Sequence, residues 1–203
     1  DLLEQAGTSA YFELRPLCFM QVVFRSMYTA HRLGPSPELV NSYNNFGILV
    51  ATLQLGNVAD RYTKAAFQIG EEVGDRAGQA RSALYQGMCK LLMGDELGSE
   101  IGMVAAIQKY GKWMRFEDLV NAYLAPTIGY LIRGYSQQAY QWTETAIKHL
   151  GERASNSGLT GENYLAWFDI FRMASLGMQG KIGESQEYLE RFEKHLTASR
   201  YHH

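Results

Sequence analysis

The sequence predicts an all-α protein, a right-handed α-solenoid built from about five antiparallel helix pairs. Strand signals are nearly absent, because no Asn-Gly or Asp-Gly turn separates two alternating runs of apolar residues. Apolar residues instead recur with the period of a helix. Tight turns interrupt this period at Gly56, Gly94, Gly134 and Gly180, at intervals of 38, 40 and 46 residues. A helix pair that recurs at such intervals predicts a solenoid.

A second series of glycines marks the end of each helix pair. Gly34, Gly74, Gly111 and Gly151 follow the predicted second helices, so the repeating unit is helix, tight turn, helix, loop. Glycine suits these breaks because it adopts the left-handed backbone conformation without strain. The predicted helices cover 2–13, 16–33, 37–54, 57–73, 76–93, 97–110, 116–133, 136–150, 161–178 and 182–199. They form one domain over 1–203, with units at about 1–34, 35–74, 75–111, 112–151 and 160–200.

Capping residues support these boundaries. Pro16 suits the first turn of a helix, where its missing N–H group has no consequence. Ser36, Asp75 and Thr160 each precede a predicted helix and can accept a hydrogen bond from its first amides. The segment 151–161 is rich in Ser, Asn and Gly and is predicted to be the longest and most mobile loop.

Composition excludes several classes of protein. With 203 residues, 46% of them hydrophobic and 20% charged, the chain is too apolar to be disordered. A net charge of −2 gives no basis for binding nucleic acid or an anionic membrane. No run reaches the roughly 18 apolar residues that span a membrane. Cys18 and Cys89 lack CxxC spacing, which predicts buried thiols in a reducing cytoplasm rather than a disulfide or zinc site.

Small residues recur at fixed places in the predicted units. In the third unit Gly87 lies seven residues before the turn glycine Gly94. The second helices of units three and four carry Ala106, Ala139 and Ala146. These features resemble tetratricopeptide repeats, which pack their helix pairs closely through such residues. Two units depart from the pattern, because Gly47 lies nine residues before Gly56 and the fifth unit has Met173 where glycine is expected.

A second resemblance concerns the N-terminal part of the chain. The stretch 31–39, continued by 44–47 and 74–76, resembles the C-terminal repeat region of large bacterial signalling proteins, and 11–17 fits the unit before it. Those proteins join a class III nucleotide cyclase or a protein kinase to an AAA-like or STAND-type ATPase, followed by such repeats. The resemblance implies that catalysis lies in other domains. Because the chain begins abruptly at Asp1, within a helical pattern, we expect it to be a piece of a larger protein.

Motifs for catalysis are missing from the sequence. It contains no GxxxxGK[ST] phosphate loop and no HExxH, GxSxG or SxxK motif, so we predict that this chain is not an enzyme and holds no metal or cofactor. Gly94, Gly98 and Gly102 do not form a dinucleotide-binding motif, and close helix packing explains their spacing better. Three histidines lie near predicted helix ends, where the helix dipole stabilises a cationic side chain: His31, His149 and His195. We therefore interpret them as solvated helix caps rather than metal ligands.

Polar residues on the first helices of the units are candidate partner-binding residues. In stacked helix pairs those helices line the concave face. Asparagine amides suit an extended peptide backbone, a use that the resemblance implies. A solvated face without a partner is the alternative. The candidate residues are Asn41, Asn44, Asn45, Gln79, Ser82, Gln86 and Lys90.

The first helix of unit four, 116–133, predicts a second candidate site. It is apolar around most of its circumference, and Pro126 should kink it because proline removes a backbone hydrogen bond. The kink opens room for an aromatic pocket, and ordinary core packing is the alternative. Arg172 follows Asp169 by three residues, either as a charged anchor for a ligand or as half of an intrahelical ion pair. The candidate pocket residues are Trp113, Tyr123, Tyr130, Trp167 and Arg172.

The sequence therefore predicts a non-catalytic regulatory or scaffold module of a larger cytoplasmic signalling protein. Its partners are proteins, peptides or neighbouring domains of the same chain, and not nucleic acid. The alternative is a sensor domain that binds a small molecule or peptide in a pocket near Pro126. The oligomeric state does not follow from the sequence.

Overall fold

All regular structure in the described part of the chain is helical. The computed structural model describes residues 16–156 and 158–200, with side chains described for 16–151, 153, 154 and 164–193. No strand occurs in these residues, and the predicted helix 2–13 lies outside them. The helices are α1 (Pro16–Leu33), α2 (Pro37–Thr52), α3 (Gly56–Glu72), α4 (Arg76–Leu92), α5 (Glu96–Tyr110), a 3-10 turn (Gly111–Trp113), α6 (Phe116–Ile132), α7 (Ser136–Asn156), α8 (Gly158–Met178) and α9 (Ile182–Arg200).

The capping predictions hold at two of the three sites that they name. The Ser36 hydroxyl accepts from the Leu39 N–H at 3.3 Å. The Asp75 carboxylate accepts from the Gly78 N–H at 2.8 Å. Thr160 is not a cap, because α8 already begins at Gly158. Each true cap satisfies a backbone amide that the helix itself leaves without a partner.

The predicted loop at 151–161 is wrong. Helix α7 continues through Gly151 to Asn156, and α8 begins at Gly158, so residues 151–156 and 158–161 are helical. The sequence of 152–154 is Glu-Arg-Ala, all good helix formers, and one glycine before them is tolerated within a helix. The Ser, Asn and Gly content of this segment therefore did not outweigh its helix formers.

The chain divides into two compact units, Asp1–Met114 and Arg115–His203. In the first unit every described helix packs against the next one in sequence, and α2 also packs against α4. In the second unit α6, α7, α8 and α9 pack in sequence, and α6 also contacts α8. Each unit thus combines contacts between successive helices with contacts between the first helices of successive pairs.

The turn inside each helix pair has the same backbone geometry. Gly94, Gly134 and Gly180 have positive φ values of 78°, 77° and 75°, as predicted. In the second pair the corresponding residue is not Gly56, which begins α3, but Gln54, with a φ of 61°. The turn residues are therefore spaced by 40, 40 and 46 residues, a more regular series than the glycines suggested.

The breaks after the second helices are less uniform than predicted. Gly34 and Gly74 have positive φ values of 78° and 73° and end α1 and α3 as expected. Gly111 has a φ of −53° and opens the 3-10 turn instead. Gly151 lies within α7. A glycine permits the left-handed conformation but does not require it.

The second helices α3, α5 and α7 bury the same four positions, whereas in α9 the corresponding Ser185 is half-buried and Leu189 is exposed. Counted from the turn residue, these positions are 5, 9, 12 and 16 residues later, a spacing that places them on one helix face. Nine of the twelve residues at these positions in α3, α5 and α7 are alanine, glycine, serine or threonine, which lets neighbouring helices approach closely. The buried residues are Ala59, Thr63, Ala66, Gly70, Ser99, Met103, Ala106, Tyr110, Ala139, Thr143, Ala146 and Leu150.

The first helices share a register as well. Gly47, Gly87 and Thr127 are all buried, and each lies seven residues before its turn residue. The second repeat therefore fits the pattern of the others once Gly47 is counted back from Gln54 rather than from Gly56. A Cβ atom at Gly47 would lie 2.6 Å from Cγ2 of Thr63, so α2 and α3 pack at a distance that only glycine allows here.

Candidate binding surfaces

Three of the predicted partner-binding residues lie inside the first unit. Asn44, Gln79 and Ser82 are buried, and the Asn44 amide donates to the Ser82 hydroxyl at 3.0 Å. The Ser82 hydroxyl in turn donates to the Gly78 carbonyl oxygen at 2.9 Å. The Asn44 amide and the Ser82 hydroxyl pair with each other between α2 and α4, and the Gln79 side-chain oxygen accepts from Arg76 at 3.1 Å. The Asn44 side-chain oxygen has no hydrogen-bond partner among the described residues. The expectation that these three residues line an accessible face is corrected.

A second polar contact joins the same two helices. Arg81 is buried, and its guanidinium donates to the Asn41 side-chain oxygen at 2.7 Å. The two residues are 40 apart and occupy the same position in successive units. Asn41 is half-buried and engaged by this contact. The asparagines that we predicted to bind a peptide backbone therefore bind, in part, the neighbouring repeat.

Few of the predicted partner-binding residues remain accessible to a partner. Asn45 is half-buried on α2, and Lys90 is exposed near the end of α4. Gln86 is half-buried, and its amide donates to the Thr63 carbonyl oxygen at 3.5 Å, which directs it towards α3. Asn45 and Lys90 are thus the predicted residues that keep polar groups available to a partner.

Tyr123, the central residue of the predicted pocket, belongs to the core of the second unit. It is buried, its hydroxyl lies 2.6 Å from Nδ1 of His149, and its ring contacts that of Trp142 at 5.4 Å. Burial raises the pKa of the Tyr123 phenol. His149 is therefore not only a solvated cap, and His31 likewise packs its ring against Tyr43 at 5.4 Å. The side chain of His195 lies outside the described residues.

Helix α6 runs continuously through Pro126, which is buried. The carbonyl oxygen of Tyr123 accepts from the Thr127 hydroxyl at 2.9 Å and from the Trp142 indole at 3.0 Å. These side-chain donors lie next to the turn in which proline removes a backbone donor. Side chains of the protein itself therefore supply the hydrogen bonds in the turn before Pro126.

The other predicted pocket residues make separate contacts. Tyr130 is half-buried, and the centre of its ring lies 5.2 Å from the guanidinium carbon of Arg133. Trp167 on α8 is 49% exposed. Trp113 belongs to the first unit and the other four residues to the second.

Arg172 is the centre of a network that joins three helices. It forms ion pairs with Asp169 of α8, at 3.0 Å, and with Glu144 of α7. Its guanidinium carbon also lies 5.1 Å from the centre of the Tyr188 ring on α9. The i, i+3 pair that we predicted is therefore present, and it is one part of a larger contact. Because two carboxylates and an aromatic ring contact this cation, we interpret Arg172 as a residue that stabilises the packing of α7, α8 and α9.

One group of residues at the end of the first unit was not predicted as a site. Trp113 is 37% exposed, with the Lys112 ammonium 4.1 Å and the Arg76 guanidinium carbon 6.0 Å from its ring centre. The Lys109 ammonium lies 5.0 Å from the ring of Tyr110. We call these five residues the Trp113 patch. The sequence predicts Trp113 only as a pocket wall, because Arg76 and Trp113 are 37 residues apart.

The first unit also has an open groove on α1, with a volume of about 630 Å³. The described residues that line it are Gln21, Phe24, Arg25, Tyr28 and Thr29, all on one face of the helix. No three metal-binding side chains come close enough to hold an ion in the part of the chain that the structure describes. Likewise, none of the described helices has the length and apolar character needed to cross a membrane.

A scan of protein-family models finds no match to this chain, and a search of the curated proteins finds none either. The function proposed below therefore rests on the fold and the surface chemistry of the chain itself.

Proposed function

We propose that the chain is a non-catalytic protein-interaction module built of helix-pair repeats, similar to tetratricopeptide repeats. The observation that carries this proposal is the shared register of the buried positions, because three second helices bury residues at the same four distances from the turn. Such a register is typical of repeats that stack on one another and leave their side chains on the first helices for binding.

The chemistry of the surface favours a protein or peptide as partner. The accessible polar residues on the first helices, Asn45 and Lys90, offer an amide and an ammonium group. Most ionisable groups in the described helices make ion pairs or face solvent, and no described group combines a nucleophile, a base and an orienting partner. The resemblance to repeat regions of bacterial signalling proteins supports a regulatory role within a larger cytoplasmic protein.

Selection of binding peptides tests the proposal. A random peptide library displayed on phage is selected against the purified 203-residue chain. We expect a family of related peptides that bind with dissociation constants of about 1–100 μM. Asn45→Ala and Lys90→Ala are expected to weaken binding, whereas Lys64→Ala, an exposed lysine on α3 with an ion pair to Asp60, is the matched control.

Two outcomes would contradict the proposal. One is that no peptide family is enriched over selection against an unrelated helical protein. The other is saturable thermal stabilisation by a metabolite or nucleotide that is lost in Tyr130→Ala, which would favour the small-molecule sensor instead. Equal loss of binding in Lys64→Ala and Lys90→Ala would remove the first helices from the binding surface.

A further inference from the structure

We propose that the Trp113 patch is a binding site for an acidic peptide segment, distinct from the surface that carries Asn45 and Lys90. The inference goes beyond the interaction function proposed above and does not depend on it. It rests on two cationic side chains beside an accessible indole and a third beside the neighbouring Tyr110 ring, none of which has an acidic partner among the described residues.

The aromatic base of the patch is held in place by the core of the first unit. Tyr110 is buried, and its ring packs edge-on against Phe67 of α3 at 5.9 Å. Trp113 lies beside it, with ring centres 6.4 Å apart. Met114, which follows directly, is buried and donates its N–H to the Gly111 carbonyl oxygen at 3.3 Å. The indole is therefore presented on a fixed 3-10 turn, which lowers the entropy lost on binding.

The cations of the patch have no acidic partner among the described residues. Arg76, Lys109 and Lys112 are all exposed, and within the described residues no carboxylate lies within 4.0 Å of any of them. The Arg76 guanidinium donates a hydrogen bond to the neutral Gln79 side chain at 3.1 Å. The Asp75 carboxylate, next in sequence, instead accepts from a backbone amide at the start of α4.

The sequence around the patch has the same bias. Residues 101–114 contain Lys109 and Lys112 and no acidic residue, in a chain with a net charge of −2. A local cationic surface on a slightly acidic protein attracts an acidic partner and repels a basic one.

The combination of indole and cations favours a peptide over other anions. A carboxylate side chain can pair with Lys112 or Arg76 while the neighbouring peptide groups pack on the exposed indole face. Tryptophan and arginine are the residues that contribute most to protein interfaces. A nucleic acid backbone would require a row of more than three neighbouring cations. The net charge of −2 does not indicate such an extended basic surface.

Binding of a short capped peptide of alternating glutamate and glycine tests the inference, measured by fluorescence anisotropy with the full chain. We expect saturable binding that weakens as salt rises from about 0.05 to 0.5 M, since salt screens the charges. The glutamine counterpart of the peptide should bind at least about tenfold more weakly. A short thymidine oligonucleotide should bind no more tightly than the glutamate peptide.

Variants assign the binding to the patch. Trp113→Ala should lower the affinity by at least about tenfold, and Trp113→Phe by less, because phenylalanine keeps an aromatic face. Lys112→Gln should lower it about two- to fivefold, whereas Lys64→Gln, the same change at an exposed lysine of α3, should not. Circular dichroism and thermal unfolding of each variant check that the helices remain intact.

The inference is overturned if the glutamate peptide does not bind, if Lys64→Gln weakens binding as much as Lys112→Gln, or if the oligonucleotide binds more tightly. These outcomes are separate from the selection experiment above. Library peptides that bind through Asn45 and Lys90 would leave the interaction function in place even when the Trp113 patch fails.

Discussion

The side-chain amide of Gln54 donates a hydrogen bond to the carbonyl oxygen of Leu92 at 3.0 Å. The donor occupies the tight turn of one helix pair, and the acceptor is the last residue of α4, the first helix of the next pair. This contact satisfies one of the carbonyl groups that a helix end leaves without a partner. Gln54 makes this bond while its own backbone has a φ of 61°, in the left-handed region that favours glycine.

Substitutions at Gln54 separate the backbone strain from the hydrogen bond. Gln54→Gly and Gln54→Ala both remove the bond to Leu92, but only glycine adopts a φ of 61° without strain. We therefore expect the glycine variant to be more stable than the alanine variant by about 1 kcal/mol. Urea unfolding followed by circular dichroism measures both. An alanine variant as stable as the glycine variant would show that the turn relaxes to another conformation.

The same turn shows how far the sequence predicts the fold. The described helices were predicted to within three residues at every end except the last turn of α7, because their apolar period and glycine breaks are local signals. The left-handed residue of the second pair was missed because Gly56, two residues later, offered an obvious but incorrect alternative. A glutamine has no intrinsic preference for that conformation, and its partner Leu92 lies 38 residues away.

The candidate site was predicted less well for a related reason. Asn44 and Ser82 are polar residues at positions that a helical period assigns to a surface stripe, yet they bury each other. Their burial depends on a hydrogen bond between two repeats, which a single sequence does not reveal. The Trp113 patch was missed because Arg76 reaches it from the start of another helix.

The hydrogen bond between Asn44 and Ser82 predicts coupling between two repeats. Ser82→Ala leaves the buried Asn44 amide without its acceptor and should cost about 1–3 kcal/mol of unfolding free energy. In a background that carries Asn44→Leu, the same change should cost less, because no amide then needs an acceptor. A double-mutant cycle from urea unfolding should give a coupling of about 0.5–3 kcal/mol. Strict additivity would mean that the bond does not contribute to stability.

Two buried or half-buried glycines should respond to alanine in opposite directions. At Gly47 the new Cβ atom would lie 2.6 Å from Cγ2 of Thr63, a β-branched side chain with little freedom in a helix. At Gly102 its nearest neighbour is Cα of Gly87 at 3.6 Å, an ordinary contact. We expect Gly47→Ala to lose about 1–2 kcal/mol and Gly102→Ala to gain about 0.5–1 kcal/mol in unfolding free energy. Thermal unfolding of the pair checks both signs, and a gain in both would contradict the close approach of α2 and α3.

Arg172 should stabilise the second unit much more than an exposed cation does. Arg172→Ala removes two ion pairs and leaves Asp169 partly buried without its partner, which should lower the unfolding free energy by about 2–3 kcal/mol. Lys181→Ala is the matched control, because its pair with Glu184 at 3.8 Å is exposed. That change should cost less than about 0.5 kcal/mol. Equal effects in urea unfolding would remove the special role assigned to the network.

The raised pKa of the Tyr140 phenol predicts that the protein loses stability at high pH. The hydrogen bond between the Tyr140 and Tyr188 hydroxyls, at 3.3 Å, together with burial, raises the pKa of Tyr140 from 10.0 to about 12. In the unfolded chain this phenol loses its proton near pH 10, whereas the folded protein keeps it. The folded state therefore binds more protons between pH 10 and 12, and stability falls as pH rises through that range.

Tyr140→Phe should flatten this pH dependence, because it removes the phenol whose pKa differs between the two states. The comparison is urea unfolding at several pH values between about 9 and 11.5, where the parent should lose stability faster than the variant. Tyr28→Phe, at an exposed tyrosine of α1, controls for the loss of any single phenol. A parent and a Tyr140→Phe variant with the same slope would mean that the Tyr140 proton is not held by the contact with Tyr188. In that case α7 and α9 would meet without a hydrogen bond between their phenols.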